Sequence, residues 1–188
     1  PRLGPAIQNG HLNVLEWALK HDLPVRNKAI ALELVLNKHF KVFDQLQEVL
    51  NLSISEKQWV LNKAVEENCL DGAKWLYDKF KIVPEPEDTH YMNIKVLKWV
   101  ESVNPRAINE ELAIQANLNT LKWLSEDYPH LLTEDVKDAH NDELVNFEKM
   151  QWMTLQGWKT NPDIWKSVRA GETEMVKFGY NTLRKKPT

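Results

Sequence analysis

Ala6-Ile-Gln-Asn-Gly-His-Leu-Asn-Val-Leu-Glu-Trp-Ala18 and Ala64-Val-Glu-Glu-Asn-Cys-Leu-Asp-Gly-Ala-Lys-Trp-Leu76 decide the fold, because they are one pattern written twice, 58 residues apart. A weaker copy, Leu34-Val-Leu-Asn-Lys-His-Phe-Lys-Val-Phe-Asp-Gln-Leu46, lies between them. Four more end in Val96-Leu-Lys-Trp-Val100, Thr120-Leu-Lys-Trp-Leu124, Lys149-Met-Gln-Trp-Met153 and Met175-Val-Lys-Phe-Gly179. Successive copies are spaced 28, 30, 24, 24, 29 and 26 residues apart. Aligned, the position of Leu15 reads Leu15, Phe43, Ala73, Leu97, Leu121, Met150 and Val176. That of Trp17 reads Trp17, Gln45, Trp75, Trp99, Trp123, Trp152 and Phe178. The positions of Asn13 and Glu16 stay polar throughout. Apolar residues at 12, 15 and 18 with polar ones at 13 and 16 describe one face of a helix. Fixed-period self-similarity of this kind is the mark of a repeat architecture.

A second helical segment is expected upstream of each such helix. Ser55-Glu-Lys-Gln58 has capping-box spacing. Asn104-Pro105 and Asn161-Pro162 place a capping residue before a proline at the first helical position. Thr133-Glu134-Asp135 is a start with acids in the first turn, and Asn27 is read as a further cap. Pro24, Pro84, Pro105, Pro129 and Pro162 fall at or just after the ends of second helices. Each copy is therefore helix, short turn, helix, loop. One hairpin cannot bury its own apolar face, but stacked neighbours can. The expected fold is an all-α solenoid of about seven short hairpins forming a single domain over 1–188.

Composition agrees. The 188 residues are 43% hydrophobic and 27% charged, with a net charge of −3. One cysteine, Cys69, excludes an internal disulfide framework and a Cys-rich zinc module. Six glycines are too few for phosphate-cradling loops or a turn-rich β fold. No apolar run approaches the roughly 20 residues of a membrane span. The sequence opens inside the repeat, at Pro1-Arg2-Leu3, and is read as an excised piece of a longer chain. Charge is uneven: net −1 over 1–104, −6 over 105–150 and +4 over 151–188. An acidic middle and a basic end do not make the basic face of a nucleic-acid binder.

The copies resemble ankyrin repeats. Leu3, Ala6, Ile7, Gly10 and His11 match that family's pattern in the first copy. Leu61, Ala64, Val65, Asn68 and Cys69 stand at those positions in the third, and Ile164, Ser167, Val168 and Gly171 at four of them in the seventh. The Thr-Pro start and first His of the family are absent, and the period is shorter than its 33 residues. The resemblance thus implies hairpins with reduced or absent β-turn fingers. The Trp-Leu ending, as in Leu121-Lys-Trp-Leu124, is similar to divergent ankyrin-like arrays of oomycetes, amoebae and giant viruses. Some oomycete members are secreted effectors that act inside host cells, although no Arg-x-Leu-Arg motif occurs here.

No constellation points to catalysis or a metal. His21, His90, His130 and His140 have no partners at ligand spacing, and zinc requires three or four converging ligands. His11 and His39 occupy the repeat's own position and are expected to bond neighbouring backbone. Cys69 replaces that histidine and reads as a packed thiol. Glu66-Glu67 and Glu110-Glu111 are adjacent on helices, so they point about 100° apart. The in-register tryptophans are expected to be mostly core.

Arrays of the ankyrin type bind partners on the concave face, along exposed first-helix positions. Two columns should lie there: Pro5, Glu33, Lys63, Glu87, Glu111, His140 and Lys166, and Gln8, Leu36, Glu66, His90, Ile114, Glu143 and Arg169. Their charged members, Glu33, Lys63, Glu66, Glu87, Glu111, Glu143, Lys166 and Arg169, form the expected partner site. The out-of-register Trp59 and Trp165 are either interface anchors or fillers between uneven repeats. The expected function is non-catalytic protein–protein interaction by a monomer with no cofactor, no metal and no membrane contact. The partner is a basic or mixed-charge protein surface, a host protein if the chain is an effector. The setting is intracellular, or secreted and then inside the host. A nucleic-acid-binding array is opposed by Glu33, Glu66, Glu87 and Glu111, and an enzyme would need a pocket the sequence does not reveal.

Overall fold

The computed structural model describes residues 3–21, 26–87, 91–142, 147–159, 173, 174, 176 and 177. Among them are eleven α-helices, two 3-10 turns and no strand, so the protein is all-helical. The chain divides into two compact units, residues 1–117 and 118–188.

The N-terminal unit holds α1 (Gly4–Gln8), α2 (Leu12–Lys20), α3 (Asn27–Leu36), α4 (Phe40–Leu50), α5 (Ile54–Glu66), α6 (Leu70–Phe80), α7 (Ile94–Val103) and α8 (Glu110–Gln115). Its first three hairpins turn in the same way. Gly10, Lys38 and Asn68, one residue per copy, have left-handed backbones with φ of 61°, 62° and 58°. The next amide in each copy donates 2.8 Å back to the carbonyl of Ala6, Leu34 or Ala64. The left-handed residue itself donates 3.0 Å to Ile7, Val35 or Val65. This pair of bonds closes the last turn of the first helix, and a left-handed residue is what permits it. First helices pack on first helices, α1 on α3 and α3 on α5, and α2 packs on α4. Leu15, Ala18, Ala31, Leu34, Phe43, Leu46, Leu61, Ala64, Ala73 and Leu76 fill the seams and are fully or almost fully buried. Gly72 marks the tightest approach: a Cβ there would sit 2.5 Å from Val35 Cγ1. Only three residues, Asn51 to Ser53, separate α4 from α5.

Several helix starts differ from the sequence reading. The capping box belongs to Ser53 and Glu56, not Ser55 and Gln58: Ser53 Oγ accepts from Glu56 N at 3.2 Å, and Glu56 Oε2 accepts from Ser53 N at 2.9 Å. Both pairings obey the same three-residue rule, and the chain reverses two residues earlier than expected. Asn104-Pro105 opens only a 3-10 turn, Pro105–Ala107, and α8 is capped by Asn109, which accepts from Leu112 N at 3.0 Å. Asn27 is the first residue of α3 and spends its amide on Leu50 O, 3.0 Å away.

The larger departure is the fourth copy, which has no first helix before Glu87. Residues 81–86 take no regular form, and two prolines account for it. Pro84 and Pro86 each lack an N–H and bias the preceding residue away from helical backbone.

The C-terminal unit holds α9 (Leu118–Asp127), a 3-10 turn (Pro129–Leu131), α10 (Glu134–Asp142) and α11 (Phe147–Leu155). Thr133 caps α10 as expected, its Oγ1 accepting from Val136 N at 3.3 Å. Leu121, Trp123, Leu124, Val136 and Met153 are buried. His140 is fully buried too, stacked 6.4 Å from Trp158, and so does not face a partner as its column implied.

The tryptophan row is less uniform than expected. Trp123 is buried, while Trp75, Trp99 and Trp152 are half-buried. Trp17 is 57% exposed, against the core assignment. A register position is covered only where a neighbouring element lies against it. Trp75 has one in α4, stacking on Phe40 at 5.0 Å and meeting Phe43 edge-on at 5.1 Å. Among the described aromatic groups Trp17 touches only His21, just past the end of its helix, at 4.4 Å.

Candidate functional site

Helix α5 builds the site. Gln58, Asn62 and Glu66 recur every four residues and so share one face. They hold the segment 83–87 by its backbone. Gln58 Nε2 donates to Val83 O at 2.8 Å, and Asn62 Nδ2 to Glu85 O at 2.7 Å. Asn62 Oδ1 accepts from Glu85 N at 2.9 Å, and Glu66 Oε1 from Glu87 N at 3.1 Å. Four helical residues rise about 6 Å and two extended ones about 6.6 Å, so three rungs fit in succession. Asn104 Nδ2 holds Pro84 O at 2.9 Å. Asn68 clasps the chain further on, donating to Tyr91 O at 2.9 Å and accepting from Asn93 N at 2.6 Å. Backbone with no helix of its own thus has its polar groups met by amide side chains.

Two hollows flank this segment. One, of about 450 Å³, is lined by Val83, Glu85, Glu87, Arg106, Glu111 and Gln115, among others. The other, of about 280 Å³, is lined by Lys63, Glu66, Glu67, Asn68 and Tyr91. The bond from Glu87 N to Glu66 joins their walls. Five carboxylates thus face Lys63 and Arg106, and Lys63 is already ion-paired with Glu66. Glu85, Glu87 and Glu111 form no ion pair with a described residue. Val83 on this segment, Tyr91 beyond it and Ile114 on α8 are exposed.

The structure therefore brings together four of the expected site residues: Lys63, Glu66, Glu87 and Glu111. Glu87 arrives on a segment without regular structure rather than the expected helix. Glu33 is exposed but stands apart, beside a largely apolar hollow of about 260 Å³ lined by Leu3, Gly4, Ile7, Arg26, Ala29 and Ile30. Trp59 is half-buried, with Lys28 Nζ 4.6 Å from its ring centroid, which fits the filler reading better than the anchor. Glu143, Trp165, Lys166 and Arg169 lie outside the described residues, as does His90. Sequence reasoning passed over Glu67, Glu85, Arg106, Val83 and Tyr91. The signal available for Val83 and Glu85 was Pro84-Glu-Pro86 in a stretch assigned to a helix.

His39, not His11, makes the backbone bond expected at the repeat position: its Nε2 donates to Gln8 O at 2.9 Å, while His11 is exposed. The Cys69 thiol lies 3.8 Å from Val35 O, a packed position. Among the described residues no three His, Cys, Asp or Glu side chains are placed to hold a metal ion. No described helix is long and apolar enough to cross a membrane. Compared with known proteins, the chain matches no family model, no curated protein and no solved structure.

Proposed function

We propose that this chain is a non-catalytic interaction module, a divergent ankyrin-like solenoid that binds a protein partner along α5, the segment 83–87 and α8. The observation that carries the reading is the hollow where Glu85, Glu87 and Glu111 meet beside exposed Val83, with Ile114 on the same helix as Glu111. Carboxylates that form no ion pair with a described residue attract a basic segment and set its register, and exposed apolar groups beside them supply area to bury. The partner is thus a protein segment carrying Lys or Arg among apolar side chains. The repeated left-handed turn at Gly10, Lys38 and Asn68, where ankyrin repeats have glycine, supports the array. The three-residue link from α4 to α5 fits reduced fingers. The resemblance to secreted effector arrays makes a host protein the natural partner. Nucleic acid is disfavoured because five carboxylates would face phosphate.

Capture from plant and animal lysates, read by mass spectrometry, tests the reading with the double variant Glu87→Lys, Glu111→Lys. These two are chosen over Glu66, whose carboxylate also holds the segment. The expected result is a protein retained by the wild type and released by the variant at unchanged Tm. Equal retention by both, or selective retention of nothing, refutes the site.

A further inference from the structure

The second helix of each hairpin has a side that faces the preceding hairpin, and in the third copy that side is well defined. On α6 it comprises Cys69, Asp71, Gly72, Trp75 and Lys79. Cys69 Sγ approaches Val35 O at 3.8 Å, and Lys38 pairs with Asp71 at 2.7 Å. Gly72 lies against Val35, and Trp75 lies on Phe40 and Phe43. Lys79 pairs with Asp44. In the second copy the same position bonds one carbonyl further on, His39 donating to Gln8 O. The matching residues on α2 are His11, Asn13, Val14, Trp17 and His21, and all five are exposed. Val14 is 46% exposed, whereas Gly72 and Val96 at its position are buried. Trp17 is 57% exposed, whereas Trp75 and Trp99 are half-buried against the preceding copy, Trp99 meeting Tyr77 edge-on at 6.0 Å.

We infer that the His11–Val14–Trp17 side of α2 is the seat of a further helical hairpin of this same repeat, joined upstream of Pro1. The side is continuous with the stacking interface already formed between α4 and α6, and the residues on it are those that interface uses. Its occupant should set a large apolar pair, like Phe40 and Phe43, under Trp17. It should also offer the last carbonyl of its first helix to His11, as Gln8 does to His39. This assignment is independent of the acidic groove.

The test extends the whole chain with a copy of its own residues 26–58. That sets the copy's Phe40 30 residues before Leu12, the separation that holds between Phe40 and Leu70. Acrylamide quenching of Trp17 is read as the difference from Trp17→Phe, with and without the extension. The extended chain should shield Trp17. Trp17→Ala, nearly silent in the original chain, should then lower Tm by about 5 °C or more. A second extension carrying Phe40→Asp and Phe43→Asp in the copy should give no shielding. Trp17 equally quenched in both chains overturns the assignment, as does equal shielding by the Asp-bearing copy. Dimerisation of the original chain that is lost in Trp17→Ala also overturns it, by giving the face to a second copy.

Discussion

Trp75→Ala and Trp17→Ala remove the same side chain from the same repeat position, and the structure requires different costs. A half-buried indole removes roughly 100 Å² from water, about 2.5 kcal/mol at ~25 cal/mol per Å². Its stacked and edge-on contacts with Phe40 and Phe43 add about 0.5–1.5 kcal/mol each. Trp75→Ala should therefore cost about 3.5–5.5 kcal/mol, in the range of tryptophan truncations in cores. For a chain of this size that lowers Tm by roughly 7–22 °C. Among the described aromatic groups Trp17 meets His21 alone, and it is 57% exposed, so its loss should cost less than about 1 kcal/mol. Both residues lie in the N-terminal unit, and urea unfolding followed by far-UV circular dichroism compares them directly. Unchanged m-values would confine the difference to stability. Equal shifts in the two variants, or a Trp75→Ala cost too small to resolve, would refute the packing of α6 on α4.

Gly72→Ala tests the same seam from the other direction. Alanine raises helix propensity by about 1 kcal/mol, but its Cβ would meet Val35 Cγ1 at 2.5 Å; a net loss of about 1–2 kcal/mol is expected, and a gain in Tm would contradict the close approach. Asn62→Ala removes both bonds to the Glu85 backbone and should cost about 1–2 kcal/mol, with faster exchange of the Glu85 amide; unchanged exchange would mean that the rung does not hold the segment. The Glu56 carboxyl is held below the ordinary glutamate range, first by the Ser53 backbone N–H and then by its hydroxyl. A lowered folded-state pKa adds stability above the unfolded value that fades as pH falls through the folded one. Tm of the wild type should thus drop more steeply than that of Glu56→Gln between about pH 5 and pH 3. Parallel curves would remove the cap's ionic share.

The sequence by itself determined the second helices, their period and the residues that fill the seams. A helix records its buried face as a 3.6-residue rhythm, and Leu15, Phe43, Ala73, Leu97 and Leu121 kept that rhythm through changes of spacing. At the hairpin turn, Gly10 and Asn68 are residue types that tolerate the left-handed backbone they take, whereas Lys38 adopts the same backbone with nothing in its chemistry to announce it. Tertiary structure decided what depends on neighbours distant along the chain. The course of 83–87 is set by Gln58, Asn62 and Glu66, more than twenty residues upstream, and so is the meeting of Glu85, Glu87 and Glu111. Trp17 and Trp75 read alike in sequence and differ in exposure because Phe40 and Phe43 lie beneath only one of them. Local pattern encodes which face of an element is apolar; whether that face is covered depends on the element packed against it.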